Sequence, residues 1–275
     1  MGRYVIMIVI GEKINGAIPK TGEAIANRDA EYIKKLVIDQ EAAGADYLDV
    51  CAATDPELEY DALCWLIETV QEVNTKPICI DSPDPNMLVK VFPKINKPGL
   101  INSISLEGNK CEILLPLLRD NPEWGVIALC SSDDGVSYTT ESKVDLACKL
   151  IEKAGEYGVT PDRMHIDLLV FAVSAVADSC QTFCEACRIV KEKYPTVNIT
   201  EALSNISYGL PVRKSLNMAF LTLSMNAGLD SLIGDPLNRD VKACMLATDV
   251  LLQKDRHCRK YSTAFRKGEI GPVKA

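Results

Sequence analysis

Residues 28–50 read RDAEYIKKLVIDQEAAGADYLDV, and this stretch contains the pattern of a helix, a turn and a strand. Apolar side chains recur at helical spacing over residues 28–43, after Asn27, a residue type that favours the N-cap of a helix. Gly44 ends the predicted helix, because glycine readily adopts the left-handed conformation found after helix ends. The apolar run 46–50 then predicts a strand. The stretch therefore predicts one helix-to-strand unit of an α/β fold.

The same alternation of short apolar runs with longer amphipathic stretches continues along the whole chain. Eight runs each predict a buried strand: residues 5–10, 46–50, 77–80, 99–101, 125–129, 164–166, 197–203 and 229–233. Apolar strands separated by helices form parallel sheets, and eight of them can close into a barrel. We therefore predict a single (β/α)8 TIM barrel over residues 1–275, with a short C-terminal tail from about residue 262. An open doubly wound sheet is disfavoured, because no G-x-G-x-x-G motif follows the first run.

The composition excludes several classes of protein. The chain is 47% hydrophobic, carries a net charge of -8 and has no basic patch that would bind a nucleic-acid backbone. Its longest apolar stretch, residues 168–177, has about half the length that a membrane span needs. The eleven cysteines are an odd number spread along the chain, which indicates free thiols. We expect a soluble, cytoplasmic protein with no nucleic-acid or membrane partner.

Polar residues mark the carboxyl ends of the predicted strands. In chain order they are Glu12, Asn15, Asp49, Asp81, Asn102, Ser131, Ser132, Asp167, Ser204, Asn205 and Asp235. Any single one could simply cap the following helix. Together, however, they would direct several hydrogen-bond acceptors into the mouth of the barrel, where active sites of this fold lie. Such an arrangement is costly unless a ligand with many donors binds there, so the pattern favours a binding site.

The residue types that are missing narrow the class of ligand. Lys13 is the only lysine near a strand end, and it is poorly suited to Schiff-base chemistry. His165 has no second histidine nearby, which predicts a packed or surface histidine and no bound metal. The last two loops lack a glycine cluster for phosphate. A flat heterocycle with an amino group, ring N–H groups and a carbonyl would suit Asp and Asn side chains, and a pterin has such an edge.

Two short motifs imitate cofactor sites. Cys180, Cys184 and Cys187 have the C-x3-C-x2-C spacing of radical SAM enzymes, but they follow the sixth predicted strand and fall on one face of a predicted helix. Residues 255–257 match the start of the cobalamin-binding D-x-H-x-x-G signature, but Lys260 stands at the glycine position. We predict a helical face of small apolar side chains and a solvated helix end, and no corrinoid held by this chain itself.

Five strand-end motifs, taken together, resemble those of a known family. They are Gly11-Glu12-Lys13-Ile14-Asn15, Cys79-Ile80-Asp81-Ser82, Ile101-Asn102-Ser103, Ile166-Asp167 and Leu203-Ser204-Asn205-Ile206-Ser207. In their order and spacing the chain resembles the methyltetrahydrofolate:corrinoid protein methyltransferases, from about residue 7 to about residue 252. Over residues 204–213 it also resembles the folate domain of cobalamin-dependent methionine synthase.

The resemblance implies a tetrahydrofolate site at the mouth of the barrel. The residues implied to hold the pterin edge are Asp81, Asn102 and Asp167. Asn205 is implied to face the nitrogen that carries the methyl group, as the catalytic residue. The further folate contacts that the resemblance implies are Arg213, Glu12 and Asn15.

The resemblance also implies the reaction and its partners. The activity would be methyl transfer between tetrahydrofolate and a corrinoid (cobalamin) carried on a separate protein, with no metal bound by this chain and with two chains forming a homodimer. Leu168 stands where the family often has proline, and Tyr208 and Gly209 also depart from its pattern. These departures suggest a different corrinoid partner. We therefore expect transfer from a methylcorrinoid to tetrahydrofolate in a demethylation system of anaerobic one-carbon metabolism.

Three alternatives stay open at this point. The first is the methyltransferase of acetyl-CoA synthesis, which acts on a corrinoid/iron–sulfur protein. The second is a dihydropteroate synthase-like enzyme, although the strand-seven lysine and the C-terminal Arg-x-His of that enzyme are absent here. The third is a folate-binding subunit without catalytic activity.

Overall fold

The computed structural model describes residues 7–272 and confirms the predicted barrel. Its strands are β1 (Ile8–Asn15), β2 (Tyr47–Cys51), β3 (Ile78–Asp81), β4 (Leu100–Leu106), β5 (Gly125–Ser132), β6 (Gly135–Val136), β7 (Met164–Asp167), β8 (Asn198–Ala202) and β9 (Ser231–Gly234). All except β6 are parallel, and the pairing of β4 with β5 closes them into a barrel of eight. The short strand β6 forms an antiparallel hairpin with the end of β5.

The helices surround the barrel. They are α1 (Pro19–Ala26), α2 (Ala30–Ala43), α3 (Pro56–Gln71), α4 (Pro85–Val91), α5 (Lys110–Asp120), α6 (Thr140–Glu156), α7 (Ser179–Lys193), α8 (Arg213–Ala227), α9 (Arg239–Leu251) and α10 (Arg259–Arg266). A 3-10 helix, Leu203–Ser207, follows β8. None of the helices in the described part of the chain combines the length and apolar character that crossing a bilayer requires.

Two boundaries differ from the sequence prediction. The first predicted run, residues 5–10, lies partly outside the described residues, and β1 extends beyond it to Asn15, with irregular pairing to β2 between Gly11 and Ile14. The prediction that Asn27 caps the helix of residues 28–43 was wrong, because residues 19–26 form a helix of their own that ends at Asn27. Asp29 caps α2 instead, and its carboxylate accepts the N–H of Tyr32 at 3.1 Å.

The side chains of the strands divide between two cores. The outward-facing side chains pack against the helices and form the larger core. Inside the barrel, a smaller cluster contains Ile10, Cys79, Leu100 and Ile127. His165 is buried there, 3.1 Å from the hydroxyl of Ser231, and burial lowers its pKa to about 4. His165 is therefore a packed, neutral histidine, as the sequence predicted.

The first cofactor-like motif lies on a helix, and the second lies at the start of a short 3-10 helix before α10. Cys180, Cys184 and Cys187 are all on α7, and the last two are buried against the barrel. Asp255 caps α10 by accepting the N–H groups of Lys260 and Tyr261. Across residues 7–272, no three His, Cys, Asp or Glu side chains are grouped so as to hold a metal ion.

The segment predicted as a short C-terminal tail from about residue 262 contains the end of a helix and a buried residue. Helix α10 continues to Arg266, and Ile270 is buried beyond it. The guanidinium of Arg239 donates to the carbonyl oxygens of Gly268 and Gly271, at 2.6 and 3.0 Å. These bonds attach the segment to α9, and the separated residues that form them give no local signal in the sequence.

Glu201 is a buried carboxyl group with no hydrogen-bond partner among the described residues. It lies on β8, pairs with Leu232 and shares a strand face with Ile199, and both of these residues belong to the outer core. Burial, followed by the charge of Asp167, raises the pKa of this carboxyl well above its usual range. A polar group in this position destabilises the fold, because burial removes its hydration without supplying a hydrogen bond.

Replacing Glu201 by leucine is expected to raise the free energy of unfolding by about 1–3 kcal/mol, because it removes this unpaired group. Urea denaturation of the two proteins measures the change. The control is Glu201→Gln, which keeps a buried polar group of similar size and should give no such gain. A less stable Glu201→Leu protein would show that the carboxyl group contributes an interaction that the structure does not contain.

Candidate active site at the mouth of the barrel

The strand register brings predicted site residues to one level of the barrel. Asp81 on β3 pairs with Cys51 on β2 and with Asn102 on β4. Asp167 ends β7, where it pairs with Thr200 of β8. Because the carboxyl ends of the parallel strands meet at one end of a barrel, Asp81, Asn102 and Asp167 belong to the same mouth.

Asp49 lies beneath this layer and holds the side chain of Asn102. Its carboxylate accepts a hydrogen bond from the amide Nδ2 of Asn102 at 3.4 Å. Burial, followed by the nearby charge of Asp81, raises the pKa of Asp49 well above its usual range. Since the amide nitrogen is turned toward Asp49, the amide oxygen of Asn102 remains as an acceptor. The sequence placed Asp49 among the strand ends but gave it no role, because the pairing joins residues 53 positions apart.

Asp81 and Asp167 are carboxyl groups whose pKa values are raised to similar values. Burial raises the pKa of Asp81 to about 6, against a hydrogen bond with the thiol of Cys51 that lowers it. Burial likewise raises the pKa of Asp167 to about 6, against the N–H of Leu169, which donates to Oδ1 at 2.8 Å. Both groups are therefore ionised near neutral pH and available as hydrogen-bond acceptors.

These values predict that a ligand held by both carboxylates binds more weakly as the pH falls. Each carboxylate takes up a proton as the pH falls through 6 and then loses acceptor capacity, so the affinity is expected to fall at least about tenfold per pH unit below that value. Anaerobic titrations with tetrahydrofolate, the ligand that the sequence resemblance implies, measure this slope between about pH 5.5 and about pH 8. Asp81→Asn should make the slope shallower, because one of the two titrating groups is gone. A pH-independent affinity would exclude both carboxylates as ligand acceptors.

Asn205 lies in the 3-10 helix Leu203–Ser207, directly after β8. The residue is exposed, and its side chain has no hydrogen bond to any of residues 7–272. The neighbouring loop supports this turn, because the N–H of Val173, in the segment that follows Asp167, donates to the carbonyl of Ile206 at 3.0 Å. The amide of Asn205 is thus free for a ligand, while its backbone is joined to the loop after β7.

Arg213 holds the same turn from the start of α8. Its Nη2 donates to the carbonyl of Ser204 at 2.7 Å, and its Nε donates to the hydroxyl of Ser207 at 3.1 Å. These two bonds flank Asn205 in the sequence. The guanidinium therefore positions the turn that carries Asn205, a role that the sequence did not predict.

Arg213→Lys is expected to lower turnover about tenfold, because a single ammonium group cannot reproduce two bonds made in the planar geometry of a guanidinium. Since Arg213 is exposed, the free energy of unfolding should change by less than about 1 kcal/mol. The control is Lys214→Ala, which removes the next positive charge of α8 without a contact to the turn. Steady-state kinetics and urea denaturation measure the two effects, and unchanged turnover in Arg213→Lys would exclude the positioning role.

Glu12 and Asn15 lie at the end of β1. Burial, followed by the charge of Asp235, raises the pKa of Glu12, whereas Lys13 lowers it. Lys13 itself forms an ion pair with Asp235 at 3.3 Å. The side-chain oxygen of Asn15 accepts the N–H of Ala17 at 2.9 Å, so this side chain stabilises its own turn and keeps its amide N–H groups for any ligand.

Comparison with known proteins gives the family. The model of the family described as "Pterin binding enzyme" matches residues 20–234. A methylcorrinoid:tetrahydrofolate methyltransferase of Eubacterium limosum is 49% identical over 270 residues, covering 98% of this chain and all of that protein. A methionine synthase of Mycobacterium tuberculosis is 31% identical over 244 residues, which are 82% of this chain but 20% of that enzyme.

Solved structures of similar fold include dihydropteroate synthases. The enzyme from Clostridium difficile has a TM-score of 0.67 at 17% identity, covering 90% of this chain and 97% of that one. The enzyme from Xanthomonas albilineans with 7,8-dihydropteroate has a TM-score of 0.61 at 15% identity, covering 91% and 93% of the two chains. At such identities the likeness concerns the fold alone. The resemblance seen in the sequence is confirmed by the matched family model and by the 49% identity to the Eubacterium limosum protein. The chain belongs to the family of pterin-binding enzymes.

Proposed function

We propose that this chain is a methyltransferase that moves a methyl group between a corrinoid and tetrahydrofolate. The observation that carries the proposal is the set of acceptors at the barrel mouth, formed by Asp81, Asn102 and Asp167. The amino group and ring N–H of a pterin supply the matching donors, and a phosphate group would be repelled by the carboxylates. The similarity to the Eubacterium limosum methyltransferase over nearly the full length supports the reaction type.

The proposed roles of the residues follow from their contacts. Asp81, Asn102 and Asp167 bind the pterin edge, and Asn205 faces the nitrogen N5 that takes or gives the methyl group. Glu12 and Asn15 supply further folate contacts at the end of β1. The resemblance implied that Arg213 contacts the folate. Arg213 also positions the turn that carries Asn205, through its bond to the carbonyl of Ser204.

A second protein is proposed to carry the corrinoid, and methyl transfer is proposed to run from the methylcorrinoid to tetrahydrofolate, in a demethylation system. The name of the Eubacterium limosum relative has the same two reactants in that order, which supports this direction. A panel of isolated corrinoid proteins tests the choice of partner. A preference for the corrinoid/iron–sulfur protein of acetyl-CoA synthesis would reject the demethylation role.

Anaerobic calorimetry with tetrahydrofolate tests the binding part of the proposal. We expect one tetrahydrofolate per chain and weaker binding in Asp81→Ala. Incubation with a pterin pyrophosphate and 4-aminobenzoate tests the dihydropteroate synthase alternative, for which no condensation is expected. Condensation in this mixture would replace the methyltransferase proposal.

We further propose that the protein forms a homodimer and that it is located in the cytoplasm. Exposed leucines on α8 and α9, among them Leu216, Leu223 and Leu251, provide apolar surface for a subunit contact. All eleven cysteines lie in the described part of the chain and are free, which is typical of a reducing compartment. Light scattering of the purified protein tests the dimer, and a monomer mass at micromolar concentration would exclude a stable one.

A further inference from the structure

Lys143 is a buried lysine that joins two loops at the mouth of the barrel. It lies on α6 and is fully buried. Its Nζ donates to three carbonyl oxygens, those of Ser137 at 3.0 Å, Leu168 at 2.8 Å and Leu169 at 2.6 Å. Ser137 follows the β5–β6 hairpin, and the two leucines follow β7. All three N–H bonds of the ammonium group are thus used to hold backbone together.

A lysine in this place is costly for stability. Within the described residues, no carboxylate forms an ion pair with Nζ; the charges of Asp167 and Asp178 act on it from a longer distance, and burial, the largest effect, lowers the pKa of the amine to about 8. The ring of Phe171, whose centroid is 5.2 Å from Nζ, closes one side, and Tyr138 stacks on that ring at 4.7 Å. An apolar side chain would avoid the desolvation of a charge. The three carbonyl bonds are therefore the specific contribution of this lysine.

Leu169 connects Lys143 to Asp167 through two hydrogen bonds. Leu169 has a φ of 58°, in the left-handed region that is unfavourable for a residue with a side chain. In this conformation its carbonyl accepts from Lys143, and its N–H donates to Oδ1 of Asp167 at 2.8 Å. The other oxygen of Asp167, Oδ2, accepts no hydrogen bond from residues 7–272. The turn thus occupies one carboxylate oxygen and leaves the second for a ligand.

We propose that Lys143 is a positioning residue for the pterin site, holding the left-handed turn at Leu169 that orients the carboxylate of Asp167. The proposal rests on the proposed tetrahydrofolate site. Lys143 does not contact the ligand in this account. It stabilises a strained backbone conformation, and that conformation fixes which oxygen of Asp167 faces the pterin.

The variant Lys143→Met tests the proposal, because methionine fills a similar volume without any donor. We expect its dissociation constant for tetrahydrofolate to rise at least about tenfold, since the strained turn at Leu169 loses the bond that supports it. Turnover at saturating tetrahydrofolate should change less, because Arg213 holds the turn that carries Asn205 independently of Lys143. Lys143→Gln, which keeps one donor, should weaken binding to a smaller extent and serves in its place if Lys143→Met does not fold.

A second substitution separates this role from a general effect on stability. Glycine adopts positive φ without strain and keeps the N–H that Asp167 accepts, so Leu169→Gly added to either Lys143 variant should restore most of the lost affinity. The matched control is Lys191→Met. Lys191 also donates to a buried carbonyl, that of Val197 at 2.7 Å, and pairs with Asp230 at 2.7 Å, but it lies at the amino ends of β8 and β9. Its loss should lower the stability of the fold and leave the tetrahydrofolate affinity unchanged.

These measurements separate the positioning role of Lys143 from the proposed function. If wild-type protein binds tetrahydrofolate and the Lys143 variants bind it equally well, the positioning role is excluded while the proposed function stands. The role is also excluded if glycine at position 169 fails to rescue binding, or if Lys191→Met weakens binding as much. If the wild-type protein itself does not bind tetrahydrofolate, the proposed function fails, and the inference fails with it.

Discussion

Asn205→Ala is expected to lower the rate of methyl transfer about 100- to 1,000-fold while changing the affinity for tetrahydrofolate less than about threefold. Asn205 is an exposed residue of the 3-10 helix after β8, and its amide is free of protein hydrogen bonds within the described chain. In transfer to tetrahydrofolate, N5 forms a bond to the methyl carbon as the cobalt–carbon bond breaks, and the hydrogen on N5 becomes more acidic. The hydrogen bond from that N–H to the amide oxygen of Asn205 strengthens in the transition state.

The size of this effect follows from where the interaction is strongest. A hydrogen bond that is weak in the ground state and strong in the transition state accelerates the reaction without improving binding. In the reverse reaction, the departing N5 of methyltetrahydrofolate needs the same amide to stabilise its proton, since a tertiary amine is a poor leaving group. The variant should therefore be slow in both directions. Single-turnover kinetics, together with calorimetric binding, separates the two quantities.

The control for this variant is Ser204→Ala, one residue earlier in the same turn. Ser204 is exposed, and Arg213 contacts it through the backbone carbonyl, which alanine keeps. Its rate and affinity should equal those of the wild-type protein. If Asn205→Ala loses affinity and rate in equal proportion, Asn205 is a binding residue and the catalytic role is wrong.

Asp81→Ala and Asp167→Ala are each expected to weaken tetrahydrofolate binding about 10- to 150-fold, because each variant loses a charge-assisted hydrogen bond. The rate at saturating tetrahydrofolate should change less. Both carboxylates would accept N–H groups of the pterin edge, and that edge is unchanged between the ground state and the transition state. Removing either group should therefore affect KM more than kcat.

The free energy of unfolding of these two variants should not fall near neutral pH, although their affinity for tetrahydrofolate does. The folded-state pKa of each carboxyl is raised to about 6, so ionisation near neutral pH opposes folding. This destabilising contribution is absent at pH values below the unfolded-state pKa and grows as the pH rises toward 6. Asp→Ala should thus reduce binding without lowering stability near neutral pH.

Asp133→Ala is a suitable control, since Asp133 accepts the N–H of Gly108 at 2.8 Å on the exposed rim. Rate losses as large as the affinity losses would contradict a purely binding role.

The barrel was predictable because its signal is distributed along the whole chain. Eight apolar runs separated by helical patterns define the parallel strands, and Gly44, with a φ of 105°, ends α2 as expected. The start of α2 was not predictable from the same pattern, because Asn27 and Asp29 are both good capping residues and the independent helix α1 decides between them. Local propensity cannot make that choice, which depends on how residues 19–26 pack.

The position of Asp81, Asn102 and Asp167 at the mouth of the barrel was predictable, because each lies at or near the end of a strand. The supporting contacts were not predictable, because they join distant parts of the chain. Asp49 reaches Asn102 from the neighbouring layer, and Lys143 reaches the loop after β7 from α6. A hydrogen bond to a backbone carbonyl leaves no pattern in the sequence, so such residues are seen only once the fold is known.

An anaerobic assay with methylcob(III)alamin and tetrahydrofolate tests the central claim most directly. The account predicts that the protein accelerates both the loss of the methylcobalt absorbance and the formation of methyltetrahydrofolate, in equal amounts. Binding of tetrahydrofolate without turnover, with free methylcob(III)alamin and with every protein-bound corrinoid supplied, would indicate a non-catalytic folate-binding subunit. Neither turnover nor binding of tetrahydrofolate by calorimetry would contradict the account as a whole.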